Sequence, residues 1–572
     1  MRIVDSWVAV RAFALLYLAA DCHSAGPARA QSLASQGFLR TVAISNQQAA
    51  GLPPGVAFSG FFSPHMNRAG DAVFFATLNG PGITGANNHS IWAERNGQLE
   101  LVAQSGTQAP GTEPGVQFPS FSNAQIIDGS SGIAFISSLA GLGINSTNDR
   151  GFWHQSSAGA LQLVAREGDT AAGISGAAYS QIFFPQASES AHVMFRSRIS
   201  GSGITAFNDE LLHVTSGATR RTVVREGDAA PQIAPTATFN DTFGLGPFKV
   251  SRVNSAGRAG FVSDIAGATI TEAVFIEDAA LNLQVVARQG QTAPQTEAGT
   301  TYSFFNRFHF NAEGLSVFAA GLDGGAITSS NNAGIWVGHG DNGFGLLARE
   351  GDLAPGAGAN VFDDLTGTSE LMLNDNGDVA FRAGVAGPGV TAQNDRALWT
   401  NSIDGELRLV AREGDAAPGI AGATFSQVSD FALNEAGQIA FRAPLVGPGI
   451  TGANDGAIWS EVSPGNLQLF IREGDSLEVA PGDSRTVANV SWATFGDNSS
   501  ITDDGQIMVR AFFTDGTDSV LMIGVPEPGS GVLATTALLG LFLLAGQRRR
   551  AARNPASAGD SPNDAVNQAP RR

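Results

Sequence analysis

The chain is expected to be all-β, a β-propeller of about eight four-stranded blades in which the N-terminal and C-terminal strands complete one sheet together. Three observations predict this. The sequence repeats itself about every sixty residues, each repeat carries four strand-like segments, and the two ends hold complementary fragments of one repeat. Seven blades or an open arc are the alternatives. A solenoid fits less well, because it needs capping ends that are not seen.

The N-terminus comes first. Arg2 and Arg11 flank a weakly charged start, Ala12 to Ala20 is an apolar core, and Ala28 and Ala30 supply the small residues a signal peptidase reads. Residues 1–30 are therefore expected to be a secretory signal peptide cut after Ala30. Cys22, the only cysteine, offers a lipoprotein alternative, but Asp21 is a poor residue to precede a lipidated cysteine. After cleavage no cysteine remains, so the exported chain has to rely on core burial and not on disulfides.

Residues 31–525 are the repeat region. It opens on a lone strand, Leu39 to Ser45, which aligns with the fourth strand of later repeats such as Leu409–Arg412. The last unit, from about Thr494 to Gly524, shows three strands and no fourth. Pairing these pieces removes two open sheet edges. Between the ends, NDNGDVAF at Asn374–Phe381 and NEAGQIAF at Asn434–Phe441 define a repeated motif. Copies stand at Asn67–Phe74, Asn254–Phe261 and Asn311–Phe318, and weaker ones start at Asp128, Ser188 and Thr502. The starts are 57 to 68 residues apart. In the unit near Ala423, strands are expected over Thr424–Leu433, Gln438–Pro444, Ala457–Glu461 and Asn466–Arg472. Each alternates or runs apolar, and Gly, Pro, Asn and Asp separate them.

Asn-x-x-Gly falls between strands one and two. There Asn starts a tight turn and Gly accepts a left-handed backbone. Calcium is the sharper alternative at Asn374–Asp378, although most copies lack the carboxylates it would need. A second motif, Arg-Glu-Gly-Asp, closes strand four at 166–169, 225–228, 349–352, 412–415 and 472–475. It is expected to staple neighbouring blades through bidentate Arg–carboxylate bonds. A third motif is the loop between strands two and three, seen at Gly82–Asn88, Gly143–Asp149, Gly203–Asp209, Gly389–Asp395 and Gly449–Asp455. Trp92, Trp153, Trp336, Trp399 and Trp459 follow such loops and are expected to pack between blades. Long polar loops on a rigid scaffold are where binding resides. Asn87, Asn88, Asn148, Asp149, Asn208, Asp209, Asn394, Asp395, Asn454 and Asp455 are thus the candidate binding residues, through hydrogen bonds or weak calcium ligation. The fourth unit lacks the loop at Ala266–Ile270.

At the C-terminus, Val525-Pro526-Glu527-Pro528 precedes an apolar run, Gly531–Gly546, and then Arg548, Arg549 and Arg550. As a helix that run spans about 24 Å, a little short of the ~30 Å hydrocarbon core. The arginines hold its far end in the cytoplasm, which leaves the repeats outside. This order of motif, apolar segment and basic cluster resembles the PEP-CTERM sorting signal of Gram-negative bacteria, with an ordinary membrane anchor as the alternative. The resemblance covers residues 526–550 and implies an exosortase-type processing enzyme as partner. Residues 551–572, rich in Pro, Ala and Asn, read as disordered. The repeats resemble the tandem NxxGxxxAF family of exported, variously anchored bacterial proteins. That resemblance covers nearly the whole mature chain and implies no established chemistry.

Composition narrows the function. Hydrophobic residues are 43% and charged residues 15%, which suits a turn-rich globular chain. A net charge of −19 lacks the basic footprint of nucleic-acid binding. Lys249 is the only lysine. The sequence has no catalytic Cys, no His-Glu-x-x-His, no Gly-x-Ser-x-Gly and no phosphate-binding loop. His309 lies in an aromatic strand, Tyr302–Phe310, that reads as core or as a surface for stacking a sugar. Carboxylate pairs for glycoside chemistry leave no local signature. The reading is a non-catalytic binding module, exported and sorted at the membrane by a C-terminal helix that holds it there until processing, facing an exopolysaccharide or surface partner. The alternatives are a polysaccharide hydrolase or lyase and a purely structural surface protein. No cofactor is expected beyond weakly held calcium.

Overall fold

Apolar runs broken by Gly, Asn and Asp fold as short antiparallel strands, and these gather into eight successive blades, the seventh with a separate two-stranded pair, Thr424–Phe425 with Leu445–Val446. The structure is a computed structural model. It describes residues 31–525 except 128, 158, 184–185, 188–191, 218, 242–245, 341–342, 367–370 and 493–500. Met1–Gly524 form one compact unit and Val525–Arg572 a second, and the propeller belongs to the first. Ala28, Ala30 and the sorting-motif residues from Pro526 to Arg550 lie outside the described residues. Among the described residues no helix is long and apolar enough to cross a membrane, and the expected C-terminal span falls beyond them.

Blade 1 shows the plan. Its strands Ala57–Met66, Ala72–Asn79, His89–Arg95 and Gln98–Gln104 pair in order. Blade 7 places its strands where the sequence puts them, over Thr424–Phe425, Ser429–Leu433, Ile439–Arg442, Ala457–Ser463 and Asn466–Arg472. The first expected strand is split at Ser426–Val428. The closure is also observed. Leu39–Ile44 pairs antiparallel with Asp518–Ile523, with Leu39 opposite Ile523 and Ile44 opposite Ser519, and so becomes the fourth strand of blade 8. One boundary is corrected: the first strand of blade 8 is Asp483–Ser491, upstream of Thr494. Pro481-Gly482 turns a hairpin between it and an added strand, Ser476–Ala480, and Gly482 takes φ +76 in that turn. Among the described residues, the connectors that lead into the other blades have no such added strand.

The core lies between blades. One cluster joins Val317, Ala319 and Ile335 of blade 5 to Phe362, Phe381 and Trp399 of blade 6. The same alternation recurs around the ring, including the closing seam, where Val42 and Met522 of blade 8 meet Phe58 and Trp92 of blade 1. Each of the five tryptophans is fully buried at such a seam, as expected. The Phe of the repeated motif stacks on it, as Phe381 does on Trp399 at 6.0 Å and 20°. An aromatic of the first strand meets its edge, as Phe362 does at 5.0 Å. The indole N–H of Trp399 donates to Pro355 O at 2.9 Å, in the connector that enters the blade. Trp153 and Trp336 do the same to Pro110 O and Pro294 O.

The Asn-x-x-Gly motif is a latch as well as a turn. Asn374 Oδ1 accepts from Asp378 N at 2.7 Å, and Gly377 takes φ +90, which a side chain would strain. Its Nδ2 reaches across the seam to Asn434 O at 2.9 Å. Asn254 reaches Asn311 O, Asn311 reaches Asn374 O, and Asn434 reaches Thr502 O. Four consecutive seams therefore share one side-chain bond. Because Asn374 is fully buried, Asn374→Ala is expected to lower stability by about 2–3 kcal/mol, since it orphans buried partners. Asn374→Asp keeps the turn acceptor, loses the donor and sets a buried carboxylate against Asp378 and Asn434 O, so urea melts should show it impaired as well. A normal Asp variant would mean that the cross-seam bond contributes nothing.

Candidate functional site

The loops singled out in the sequence are folding devices. In each, the Asn side chain ties the loop to itself. Asn454 Oδ1 accepts from Thr451 N at 2.8 Å and its Nδ2 donates to Gly449 O at 3.2 Å. Asn87, Asn148, Asn208 and Asn394 repeat both bonds. Asn331 does so in blade 5, a copy absent from the sequence-based set, although Ile327-Thr328 announced it. At the following position, the carbonyls of Asn88, Asp149, Asp209, Asp395 and Asp455 accept from the end of strand two, as Asp455 O does from Leu445 N at 2.8 Å. The side chains of Asn87, Asn148, Asn208, Asn394 and Asn454 are thus committed to their own loops, and the residues after them are held through their backbone carbonyls. Among the described residues, no three His, Cys, Asp or Glu side chains gather closely enough to hold a metal ion.

The Arg-Glu-Gly-Asp motif does staple blades, through other atoms than expected. Its Arg turns back to its own blade, as Arg412 Nε does to Asn394 O at 2.8 Å. Its Glu crosses the seam to a backbone N–H of the next blade in Glu167, Glu350 and Glu413, reaches a side chain there in Glu473, and turns back to Asp209 N and Glu210 N of its own blade in Glu226. Glu350 accepts from Leu365 N at 3.0 Å, and Glu473 accepts from the Asn489 side chain at 3.0 Å. Bidentate Arg–Glu staples exist elsewhere. They run from strand four to strand three of the following blade in Arg221–Glu277, with both bonds at 2.6 Å, and in Arg408–Glu461, at 2.8 and 2.9 Å. Arg40–Glu94 does the same across the closing seam.

The motif Glu also meets the loop acid. Burial, reinforced by the neighbouring Asp209 carboxyl, pushes Glu226 up to about 7, and burial lifts Glu167 to about 6 beside Asp149. The sign follows. Folded Glu226 holds a proton that the unfolded chain releases above about 4.5, so its contribution to stability falls as pH rises from there to about 7. Glu226→Gln is expected to gain stability relative to wild type across that window, measured as melting temperature against pH. A pH-independent difference would contradict the assignment.

The site that does not repeat lies near the axis. A cavity of about 630 Å³ is lined by inner strands of blades 1 to 5. β-Bulges shape its wall. The pairing of the first strands with the second breaks at Phe62/His65, Ser122/Gln125, Phe248/Val250 and Asn306/Phe308. Ser63, Asn123 and Arg307, at three of these breaks, take φ of 42°, 48° and 52°. Non-glycine residues in this region carry strain; the same break with a positive φ recurs at Asp430 of blade 7, so the bulge belongs to the blade plan and what differs at the cavity is the side chains it presents. Ser63, Asn123, Lys249 and Arg307 all line the cavity.

The charged side chains described in its lining are all cations. Arg196, Lys249, Arg252 and Arg307 line it, and among the described lining residues there is no carboxylate. The anions stand behind the cations. Lys249 Nζ lies 2.6 Å from Asp264 and 2.7 Å from Glu272, and Arg196 lies 3.1 Å from Glu210. Burial works against the Lys249 charge, but its two carboxylates outweigh that and hold it above its ordinary range. Burial, with Arg252 and Arg307 adding their charge, holds the nearby His309 well below its usual value. Burial pushes His65 on the wall down to about 4, so it is neutral at pH 7. Asn123, Gln125 and Gln186 add amides, and Phe75 and Phe183 add rings, with Arg196 centred 5.1 Å from the Phe183 ring.

Fold and site together define a closed eight-bladed β-propeller with a cation-lined cavity near its axis. The chain belongs to the family of unknown function DUF7453, which matches residues 23–172, 167–292 and 234–532. No curated protein matches it in sequence. Among solved structures it is similar to the acylaminoacyl peptidase of Pyrococcus horikoshii, at 10% identity and a TM-score of 0.36, over 73% of this chain and 53% of that one. It therefore spans about half of that protein's length. It is similar to the β-propeller domain of the trilobed protease from Pyrococcus furiosus, described as an open velcro topology, at 8% identity and a TM-score of 0.34, over 73% and 99%. The α-L-arabinofuranosidase of Fusarium graminearum matches at 8% identity and a TM-score of 0.24, over 74% and 97%.

Proposed function

We propose that this propeller is a non-catalytic binding module, exported and sorted to the cell envelope, that engages a component of the envelope or its exopolysaccharide matrix. One observation carries the reading: the repeated motifs are spent on holding the ring, and the unrepeated polar residues converge on one cavity. Cavities with a few placed polar groups on a rigid scaffold are where ligands bind. A glycosidase on the same scaffold needs two carboxylates facing each other about 5–10 Å apart, and the described cavity lining offers none. A glycan screen with the full-length protein tests the reading. Retention of matrix polysaccharide without turnover is the expected result, and bond cleavage would move the protein to the hydrolases. Absence of all binding would favour a purely structural role.

The tail belongs to the same proposal. Val525 to Arg550 would act as a transient sorting signal, processed near Pro526–Pro528 by an exosortase-type enzyme. Intact mass of protein recovered from a host with that enzyme is expected to lack the tail. A C-terminus still at Arg572, in protein that stays with the inner membrane, would mean a simple anchor.

A further inference from the structure

A second, shallower pocket of about 240 Å³ adjoins the cationic cavity and shares Phe75 with it. Phe62 and Phe121 also line this pocket, and Phe62 is 46% exposed, unusual for a large aromatic in a chain whose motif rings are buried. His89, Ser90 and Thr77 add polar edges. An aromatic pocket and a chamber walled by Arg and Lys therefore meet at Phe75.

We infer that the two pockets form one subsite chain for an acidic oligosaccharide. The proposal rests on the binding-module reading and narrows its ligand. Rings on Phe62, over which Arg510 already lies 4.8 Å from the centroid, and on Phe75 and Phe121 would accept the C–H face of a sugar ring. Arg196, Lys249, Arg252 and Arg307 would receive its carboxylate groups, with Arg offering the planar fork that carboxylates match. Amides at Gln125 and Gln186 suit hydroxyls. Carboxylates behind Lys249 and Arg196 keep those cations in place before a ligand arrives, so binding need not order them first. A chamber of about 630 Å³ takes two or three sugar units. Single-stranded nucleic acid is the competing ligand, because stacking platforms with cations also bind it. The net charge of −19 repels a long polyanion approaching the outer surface, and it penalises a short acidic glycan less.

Calorimetry on the full-length protein tests this. The probes are oligogalacturonate, a neutral maltooligosaccharide of equal length, oligothymidylate and monomeric galacturonate. Oligogalacturonate is expected to bind, and to weaken with added salt. Arg307→Ala and Arg252→Ala are each expected to weaken it about tenfold or more. Phe62→Ala is expected to weaken the oligomer several-fold and to leave the monomer unchanged. Melting curves identify a variant that fails to fold, and the exposed Arg307 and Phe62 provide variants that do not depend on the core. Equal affinity for the neutral sugar, tighter binding of oligothymidylate, or binding indifferent to Arg307 and Arg252 would overturn the inference while leaving the binding-module reading in place. Binding of no probe at all, together with an empty glycan screen, would overturn both.

Discussion

Deleting residues 31–45 is expected to abolish the folded monomer. Leu39–Ile44 supplies the fourth strand of blade 8, and its loss leaves Asp518–Ile523 as an unpaired edge. Such edges recruit other chains. The deletion also strips Val42 and Ala43 from the closing seam and removes the Arg40–Glu94 staple. Ser45 is lost from Asp518, with which it exchanges buried bonds. Further upstream, Ser32 Oγ bonds Asp475 at 2.5 Å and Leu33 N bonds Leu469 O at 3.0 Å, so the segment ties blade 7 to blade 8 as well. Two or three buried apolar side chains and several ladder bonds amount to about 5–10 kcal/mol, comparable to the whole stability of an ordinary domain. Gel filtration and melting, on protein exported behind an intact leader, should show aggregate or a transition lowered by tens of degrees. A monomer with unchanged melting would show that the ring does not depend on this strand.

Trp399→Ala should have the next largest effect, about 3–5 kcal/mol. The indole is fully buried at the seam of blades 5 and 6, stacked on Phe381, edged by Phe362 and bonded to Pro355 O. No neighbour can collapse into the space, because both blades are held by their own ladders. Trp399→Phe keeps most of the packing and loses the bond, and should cost about 1–2 kcal/mol. Urea unfolding of both variants measures this. A loss below about 1 kcal/mol for the Ala variant would mean that the seams are not the core.

The ring is legible in the sequence because its causes are local and periodic. Asn-x-x-Gly at fixed spacing marks the turn, alternation marks the strands, and a strand without a repeat at Leu39 points to its missing partner. The third-motif loops carry a structural role that the sequence does not show. Residues repeated in most blades look displayed, whereas Asn208 and Asn454 are used up in holding their own backbone. The cavity is not legible, because it is made of what differs between blades. Arg307 reaches its wall from a bulge, a register break that no alternation pattern encodes. Lys249 stands out as the only lysine, and its meaning appears only once blades 3, 4 and 5 are set side by side. Phe62 reads as one more strand aromatic until its exposure is known.

We propose that repeated residues hold the ring and that unrepeated residues of the cavity bind a ligand. Asn374→Ala and Arg307→Ala separate these roles in one experiment, oligogalacturonate affinity measured beside urea stability in the same preparations. The expected result is a crossed pattern: Asn374→Ala unfolds at lower urea and binds normally while folded, and Arg307→Ala unfolds as wild type does and binds about tenfold more weakly. Parallel losses in both variants, or normal binding by Arg307→Ala, would contradict it.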